Sequence, residues 1–190
     1  GPGSICTTRV VAGVGVPQLT AVYRARKAVG EAIPVISDGG IKYSGDVAKV
    51  VAVGAGCAMM GSVLAGTEES PGERILHQSR TYVIYRGMGS VDAMKAAKGS
   101  RERYQHADVS DPQQYVPQGI EGLVPYQGRV ADVLRQYVGG LRFALGYCGC
   151  RSLAELQQNA RMVRVSPAAL HEAHPHDVKM MKDAPNYPTS

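Results

Sequence analysis

The stretch IPVISDGGIKYSGDVAKVVAVGAGCAMMGS, residues 33–62, decides the fold. IPVIS (33–37) is a short apolar run closed by Asp38-Gly39-Gly40. Ser44 is placed to cap a helix, with Asp46 in its positive first turn. Val47, Val50 and Val51 form the apolar stripe of that helix, and Gly54 supplies its stop. CAMMGS (57–62) is a second apolar run and ends on Gly61-Ser62. Strand, helix, strand, with both strands apolar throughout, is the logic of a parallel sheet buried on both faces. A (β/α)8 barrel builds its active site at the ends of such strands and often holds phosphate after the seventh and eighth. A doubly wound sheet also binds ligands at strand C-termini.

Working outward, the chain opens GPGSICTTR (1–9), a glycine loop around a thiol flanked by hydroxyls. PQLTAVYRARKAVG follows. Pro17 suits a first helical position, and Leu19, Val22, Tyr23 and Val29 lie near one face. Downstream, TYVIYRGMGS (81–90) reads as a strand running into a glycine turn. Residues 95–119 are polar, charged and without periodicity, the signature of a mobile functional loop or of disorder. Val130, Val133, Leu134, Tyr137, Val138 and Leu141 mark a strongly amphipathic helix. Ser152 and Glu155 make a capping box for another. The C-terminal end reads as irregular and surface-bound.

Composition limits the function classes. The 190 residues suffice for one sizeable core, with 44% hydrophobic and 19% charged residues. The formal charge of +5 is mild and the basic residues are scattered, which argues against nucleic acid. No apolar run reaches membrane-spanning length. Cys6, Cys57, Cys148 and Cys150 show no secreted disulfide pattern, so a reducing cytoplasm is the default. Cys148-Gly149-Cys150 is not a zinc-type pair. His171, His174 and His176 lack helical zinc spacing, which argues against metal-dependent hydrolysis.

Four features carry chemistry. A lone cysteine is most often a small buried hydrophobe, and Cys57, inside an apolar strand, is read that way. Cys6 sits instead in a glycine loop, where backbone N–H groups can form an anion-favouring nest. That would lower its pKa and make it a nucleophile. Asp38 is either a polar turn residue or a carboxylate that grips a diol such as ribose. Gly39 and Gly40 would then let a phosphate approach the backbone, as would Gly61-Ser62. Arg103-Tyr104 is either a solvated surface pair or part of a functional loop.

Taken together, GPGSICTTRVVAGVGVPQ (1–18), SDGGIKYSGDVAK (37–49), MMGSVLAGTEESPGE (59–73), YRGMGS (85–90), the RY pair (103–104), VPQGIEGLVPYQG (116–128) and HEAHPHDVKMMKDAPNY (171–187) are specific. The chain resembles the C-terminal half of the catalytic domain of the bacterial-type inosine-5′-monophosphate (IMP) dehydrogenase family. The first of these stretches is shared with GMP reductase.

The resemblance implies a TIM barrel, incomplete in this chain, in a homotetramer. Residues 1–91 would hold the last βα units with the catalytic loop, and 92–128 a mobile flap. Residues 129–166 would hold the final barrel helix and a following helix or strand, and 167–190 a tail. The implied reaction oxidises IMP to XMP with NAD, on the route to guanine nucleotides. Cys6 matches the nucleophile that adds to C2 of the purine, and Thr8 an assisting residue. Arg103 and Tyr104 match the pair that activates water on the flap. An arginine base is unusual, because a guanidinium has a pKa above about 12; it calls for a site that stabilises neutral guanidine or for a relay through Tyr104. Ser4, Gly39, Gly40, Gly61, Ser62 and Tyr85 match the phosphate region, and Asp38 the ribose carboxylate. Met88, Gly89 and Gln118 match contacts to the base, with glutamine standing where many bacterial relatives carry glutamate. Potassium is implied on the carbonyls of Gly1, Gly3 and Cys6, joined by Glu172, Ala173 and His174 of a neighbouring subunit. Two rival readings stay open. One is GMP reductase, which lacks the Arg-Tyr flap. The other is a fragment inactive without the N-terminal half of the barrel.

Overall fold

The computed structural model describes residues 1–182 and 184–187. The tail expected at 167–190 therefore includes 183 and 188–190, which lie outside the described residues. The first half alternates helix and strand: α1 (Thr8–Val11), α2 (Gln18–Val29), β1 (Ile36–Asp38), α3 (Ser44–Ala52), β2 (Cys57–Met59) and α4 (Ser62–Ala65). The second half adds β3 (Arg74–His77), β4 (Arg80–Arg86), α5 (Val91–Ala96), α6 (Lys98–Arg103) and a 3-10 turn at Pro112–Gln114. It closes with β5 (Glu121–Pro125), α7 (Val130–Tyr147), α8 (Leu153–Asn159) and α9 (Pro167–Glu172).

The chain is mixed α/β. β1 and β2 pair in parallel, with Ile36 opposite Cys57 and Asp38 opposite Met59. α3 is the crossover between them, as the apolar runs predict. β3, β4 and β5 form a separate antiparallel sheet in that order. No closed barrel is formed among the described strands.

Two helical layers cover the parallel pair. Val22 of α2, Val50 of α3 and Val133 of α7 meet Ile41, Ala55 and Val63 in the main core. Val51 of α3 packs on Leu156 of α8 and on Cys150, which is 7% exposed. Asp46 lies in the first turn of α3 as expected, but Ser44 is not its cap. Ser44 is the first helical residue, while Asp46 Oδ2 accepts the N–H groups of Lys42 and Tyr43 at 3.0 and 2.8 Å. A carboxylate reaching back in this way satisfies donors the first turn leaves open. The α8 cap is as expected, with Ser152 Oγ accepting the Glu155 N–H at 3.1 Å. Pro17 sits one position earlier than expected, as the N-cap of α2.

The expected burial of both strand faces is corrected. Ser37 is fully buried, but Ile36 is 62% exposed and Cys57 is also exposed. Residues alternate faces along a strand, and the paired Ile36 and Cys57 share the face that the helices do not cover. Cys57 is therefore not a core residue. The polar stretch at 95–119 is corrected in part. It is entered by α5 and contains α6, and Met94 is fully buried. The tail holds the short helix α9 rather than irregular chain alone.

Gly140 tests the α3–α7 packing. A Cβ there would overlap the Ser44 side chain. Alanine normally gains about 1 kcal/mol over glycine inside a helix. Here the overlap should cost about 1–3 kcal/mol, so Gly140→Ala should lower the urea midpoint, and Ser44→Gly should restore part of it.

Candidate active site

The strand ends and the opening loop converge. The Gly39 N–H donates to the Met59 carbonyl at 3.1 Å, joining the end of β1 to that of β2. Gly39 and Gly40 have φ of 82° and 78°, the region that favours glycine. They also lie against the opening loop: a Cβ on Gly39 would stand 3.4 Å from Gly3 N, and one on Gly40 3.0 Å from Pro2 Cβ. Gln18, at the start of α2, donates to the Asp38 carbonyl at 3.0 Å and fixes that corner. Sequence reasoning gave Gln18 no role, although it closes the stretch 1–18 quoted above.

Across the site, the Tyr85 hydroxyl occupies the space that a Cβ on Gly61 would need. Burial first, and the Asp38 carboxylate second, raise the Tyr85 phenol above its usual value. Asp38, Gly61 and Tyr85 therefore surround one region. Ser62 opens α4 beside it. A cleft of about 730 Å³ continues from Gly61 and Tyr85 past Thr67, Glu73 and Arg86 to Glu121.

Cys6 is held by main-chain bonds to a distant segment. It bridges Gly119 in antiparallel fashion. The Thr7 N–H donates to the Gln118 carbonyl at 3.1 Å, and the Ile120 N–H to the Ile5 carbonyl at 3.0 Å. The same segment is tied to the turn after β4: the Gln118 N–H donates to the Gly89 carbonyl at 2.9 Å, and the Gly87 N–H to the Ile120 carbonyl at 2.9 Å. Met88 is exposed within that turn. Gly119 has no room for a side chain, since a Cβ would stand 3.2 Å from Ser90 N and 3.3 Å from Gly89 C. Gly87 and Gly119 were not singled out from the sequence, because their role depends on contacts between remote segments.

The thiol has polar neighbours. The Cys6 and Thr8 side chains lie 3.3 Å apart, and the Gly1 nitrogen donates to Sγ at 3.1 Å. Partial burial opposes charge on the sulfur, while hydrogen bonds from the Thr8 hydroxyl and the Thr8 N–H favour the thiolate and draw the thiol down. A thiol donates to Thr8 Oγ1, whereas a thiolate accepts from the same hydroxyl.

Tyr104 joins the site and Arg103 stands at its margin. The Tyr104 ring lies over Gly89, 2.8 Å from where a Cβ would be. Arg103 is exposed on the last turn of α6. Ser4 is exposed in the opening loop. Glu172, Ala173 and His174 are placed elsewhere, at the end of α9. His174 Nδ1 lies 2.5 Å from the Tyr187 hydroxyl, and its ring 5.7 Å from that of Tyr43. Among the described residues, no hydrogen bond ties these three to Gly1, Gly3 or Cys6, and no His/Cys/Asp/Glu cluster could hold a metal. No helix among them is long and apolar enough to cross a membrane.

With this geometry in place, the comparisons decide the family. Residues 1–176 match the IMP dehydrogenase / GMP reductase domain. The chain belongs to this family. It is 56% identical, over its whole length, to an inosine-5′-monophosphate dehydrogenase of Chlorobaculum tepidum. It is 55% identical over 98% of its length to those of Aquifex aeolicus and Escherichia coli K12. The chain spans 38–39% of the length of these relatives. The Cys6 loop, the Asp38 corner and the Gly61-Ser62 turn all fall within the family match.

The thiol gives a direct test. Alkylation of Cys6 by iodoacetamide, followed by peptide mass spectrometry, should rise with pH with a midpoint below the ordinary thiol value of 9.0. Thr8→Val removes a donor to the thiolate, so its midpoint should move up. An unchanged midpoint would remove Thr8 from the activation.

Proposed function

We propose that this chain supplies the nucleophile and the nucleotide-binding strand ends of an IMP dehydrogenase. The observation that carries the reading is the Cys6 thiol, with the Thr8 hydroxyl beside it, on an opening loop that packs against Gly39 and Gly40 next to Asp38. In this reading β1 and β2 are the last two strands of a TIM barrel. Their uncovered face is where the strands of a longer chain would pack. The active protein is a cytoplasmic homotetramer.

Each residue then has a task. Asp38 accepts hydrogen bonds from the ribose hydroxyls. Ser4, Gly39, Gly40, Gly61, Ser62 and the Tyr85 hydroxyl surround the phosphate. Met88, Gly89 and Gln118 contact the base edge. The Cys6 thiolate adds to C2 of the hypoxanthine, forming a C–S bond. Hydride then leaves C2, and the adduct becomes a thioimidate. Bound NAD supplies the acceptor for that hydride. Water, deprotonated through Arg103 and Tyr104, attacks C2. The C–S bond breaks, XMP departs, and the sulfur keeps the electron pair as thiolate.

The opening loop suits an alkali cation chemically, since Gly1, Gly3 and Cys6 offer backbone carbonyls, the hard neutral ligands such ions accept. One of these is already engaged, because the Gly3 carbonyl accepts the Cys6 N–H at 3.1 Å. Glu172, Ala173 and His174 of a neighbouring subunit would complete the set. Such a cation would brace the loop that carries the thiol.

GMP reduction is the second reading, because the family match covers both activities. Arg103-Tyr104, with Tyr104 seated on Gly89, favours the dehydrogenase, since a reductase has no hydrolysis step to serve. NADH formed from IMP and NAD, rather than NADPH consumed with GMP, separates the two.

The experiment uses the full-length enzyme that carries this chain. Cys6→Ala should abolish NADH formation and leave IMP binding intact, and mass spectrometry should find a nucleotide adduct on Cys6 of the unsubstituted protein. NADH formation by Cys6→Ala at an undiminished rate would end the nucleophile assignment. Arg103→Ala should slow hydrolysis far more than hydride transfer, giving a burst of NADH. Equal slowing of both steps would count against its role.

A further inference from the structure

Residues 105–117 connect Arg103-Tyr104 to Gln118, and both ends of the connection land on Gly89. The Tyr104 ring covers Gly89 from one side. The Gln118 N–H donates to the Gly89 carbonyl at 2.9 Å. Between these anchors the sequence offers little to order a chain, and a flexible loop of this length carries a closure cost in entropy.

The structure closes it with one side chain. His106 Nε2 accepts the Val116 N–H at 3.2 Å. Its ring lies 5.2 Å from that of Tyr115, which is 8% exposed. Gln105, at φ 61°, turns the chain back, and the His106 N–H donates to the Arg101 carbonyl at 2.8 Å. A main-chain N–H only donates, so Nε2 is the acceptor and the ring proton lies on Nδ1. His106 follows Tyr104 by two positions, and Val116 precedes Gln118 by two. The bond therefore pins the two limbs together just outside their contacts with Gly89. The circuit runs Gly89, Tyr104, His106, Val116, Gln118 and back to Gly89.

We propose that His106 is a positioning residue for the water-consuming half of the reaction. By clasping Val116 it holds Arg103-Tyr104 at a set distance from Gln118, whose carbonyl is bonded to the loop that carries Cys6. The proposal rests on the reading of Arg103-Tyr104 as the water-activating pair. It assigns His106 no contact with substrate.

Two substitutions separate acceptor from packing. His106→Phe keeps a ring against Tyr115 but has no acceptor. His106→Gln keeps an acceptor at similar reach without the ring. In the full-length enzyme mixed rapidly with IMP and NAD, His106→Phe should keep the NADH burst and lose about tenfold in the steady-state rate, as a small misplacement of a catalytic pair does. His106→Gln should recover most of that loss. Hydrogen–deuterium exchange gives a readout independent of turnover: the Val116 amide should exchange faster in His106→Phe and stay protected in His106→Gln. A wild-type steady-state rate in His106→Phe overturns the proposal. So does loss of burst and steady state together, or a Val116 amide as protected as in the unsubstituted protein. If the unsubstituted enzyme forms no NADH, the dehydrogenase reading fails and takes the catalytic role of His106 with it, while the exchange data still report whether the clasp exists.

Discussion

The site depends on a main-chain junction in which Ile5–Thr7 lie antiparallel to 118–120, and 118–120 in turn lies on the 87–90 turn. The bonds at this junction are backbone to backbone, so side chains set it only by staying out of the way. Gly119 and Gly87 do that, each with neighbouring main chain at 3.2 to 3.4 Å from a notional Cβ. An orphaned main-chain group here would cost about 1–3 kcal/mol, comparable to the whole effect of an ordinary destabilising mutation. The thiol is thus positioned from a segment remote in sequence. The opening loop, the strand ends and the polar stretch form one unit, although no periodic pattern links them.

Within that unit the electrostatics divide by residue. Cys6 is only partly buried, and the hydroxyl and N–H of Thr8 favour the charged sulfur against that burial. Tyr85 is pushed the other way by burial and by Asp38, and its hydroxyl lies against Gly61. In the proposed function, Asp38 and the phenol mark the polar end of the site and the thiol its reactive centre.

The strand-helix-strand unit and α7 were legible from the apolar runs of β1 and β2 and the helical apolar stripes, although Leu134 and Val138 of α7 stay exposed. Asp38 ends β1 and Gly61-Ser62 follow β2, the strand ends at which the sequence put them. β3 and β5 were not, since RILH is short and flanked by charge, while EGLVP carries a glycine and ends on proline. Both exist by pairing with β4, a tertiary cause that local propensity does not carry. α5 was hidden by the polar average around it, although Ser90 caps it by accepting the Ala93 N–H at 3.3 Å. Cys57 was misplaced because an apolar run does not say which of its faces is covered. The contacts of Tyr104 with Gly89 and of His106 with Val116 join positions whose spacing follows no helix or strand period.

Three of the glycines described above face a particular side chain: Gly61 the phenol of Tyr85, Gly89 the ring of Tyr104, and Gly140 the side chain of Ser44. Each pair divides one small volume between two positions. Neither member is free to drift during divergence unless the other shrinks first, so the constraint belongs to the pair. Substitutions at 61 and 85, at 89 and 104, and at 44 and 140 should therefore arise in step, leaving a statistical imprint across many sequences that a single one does not display.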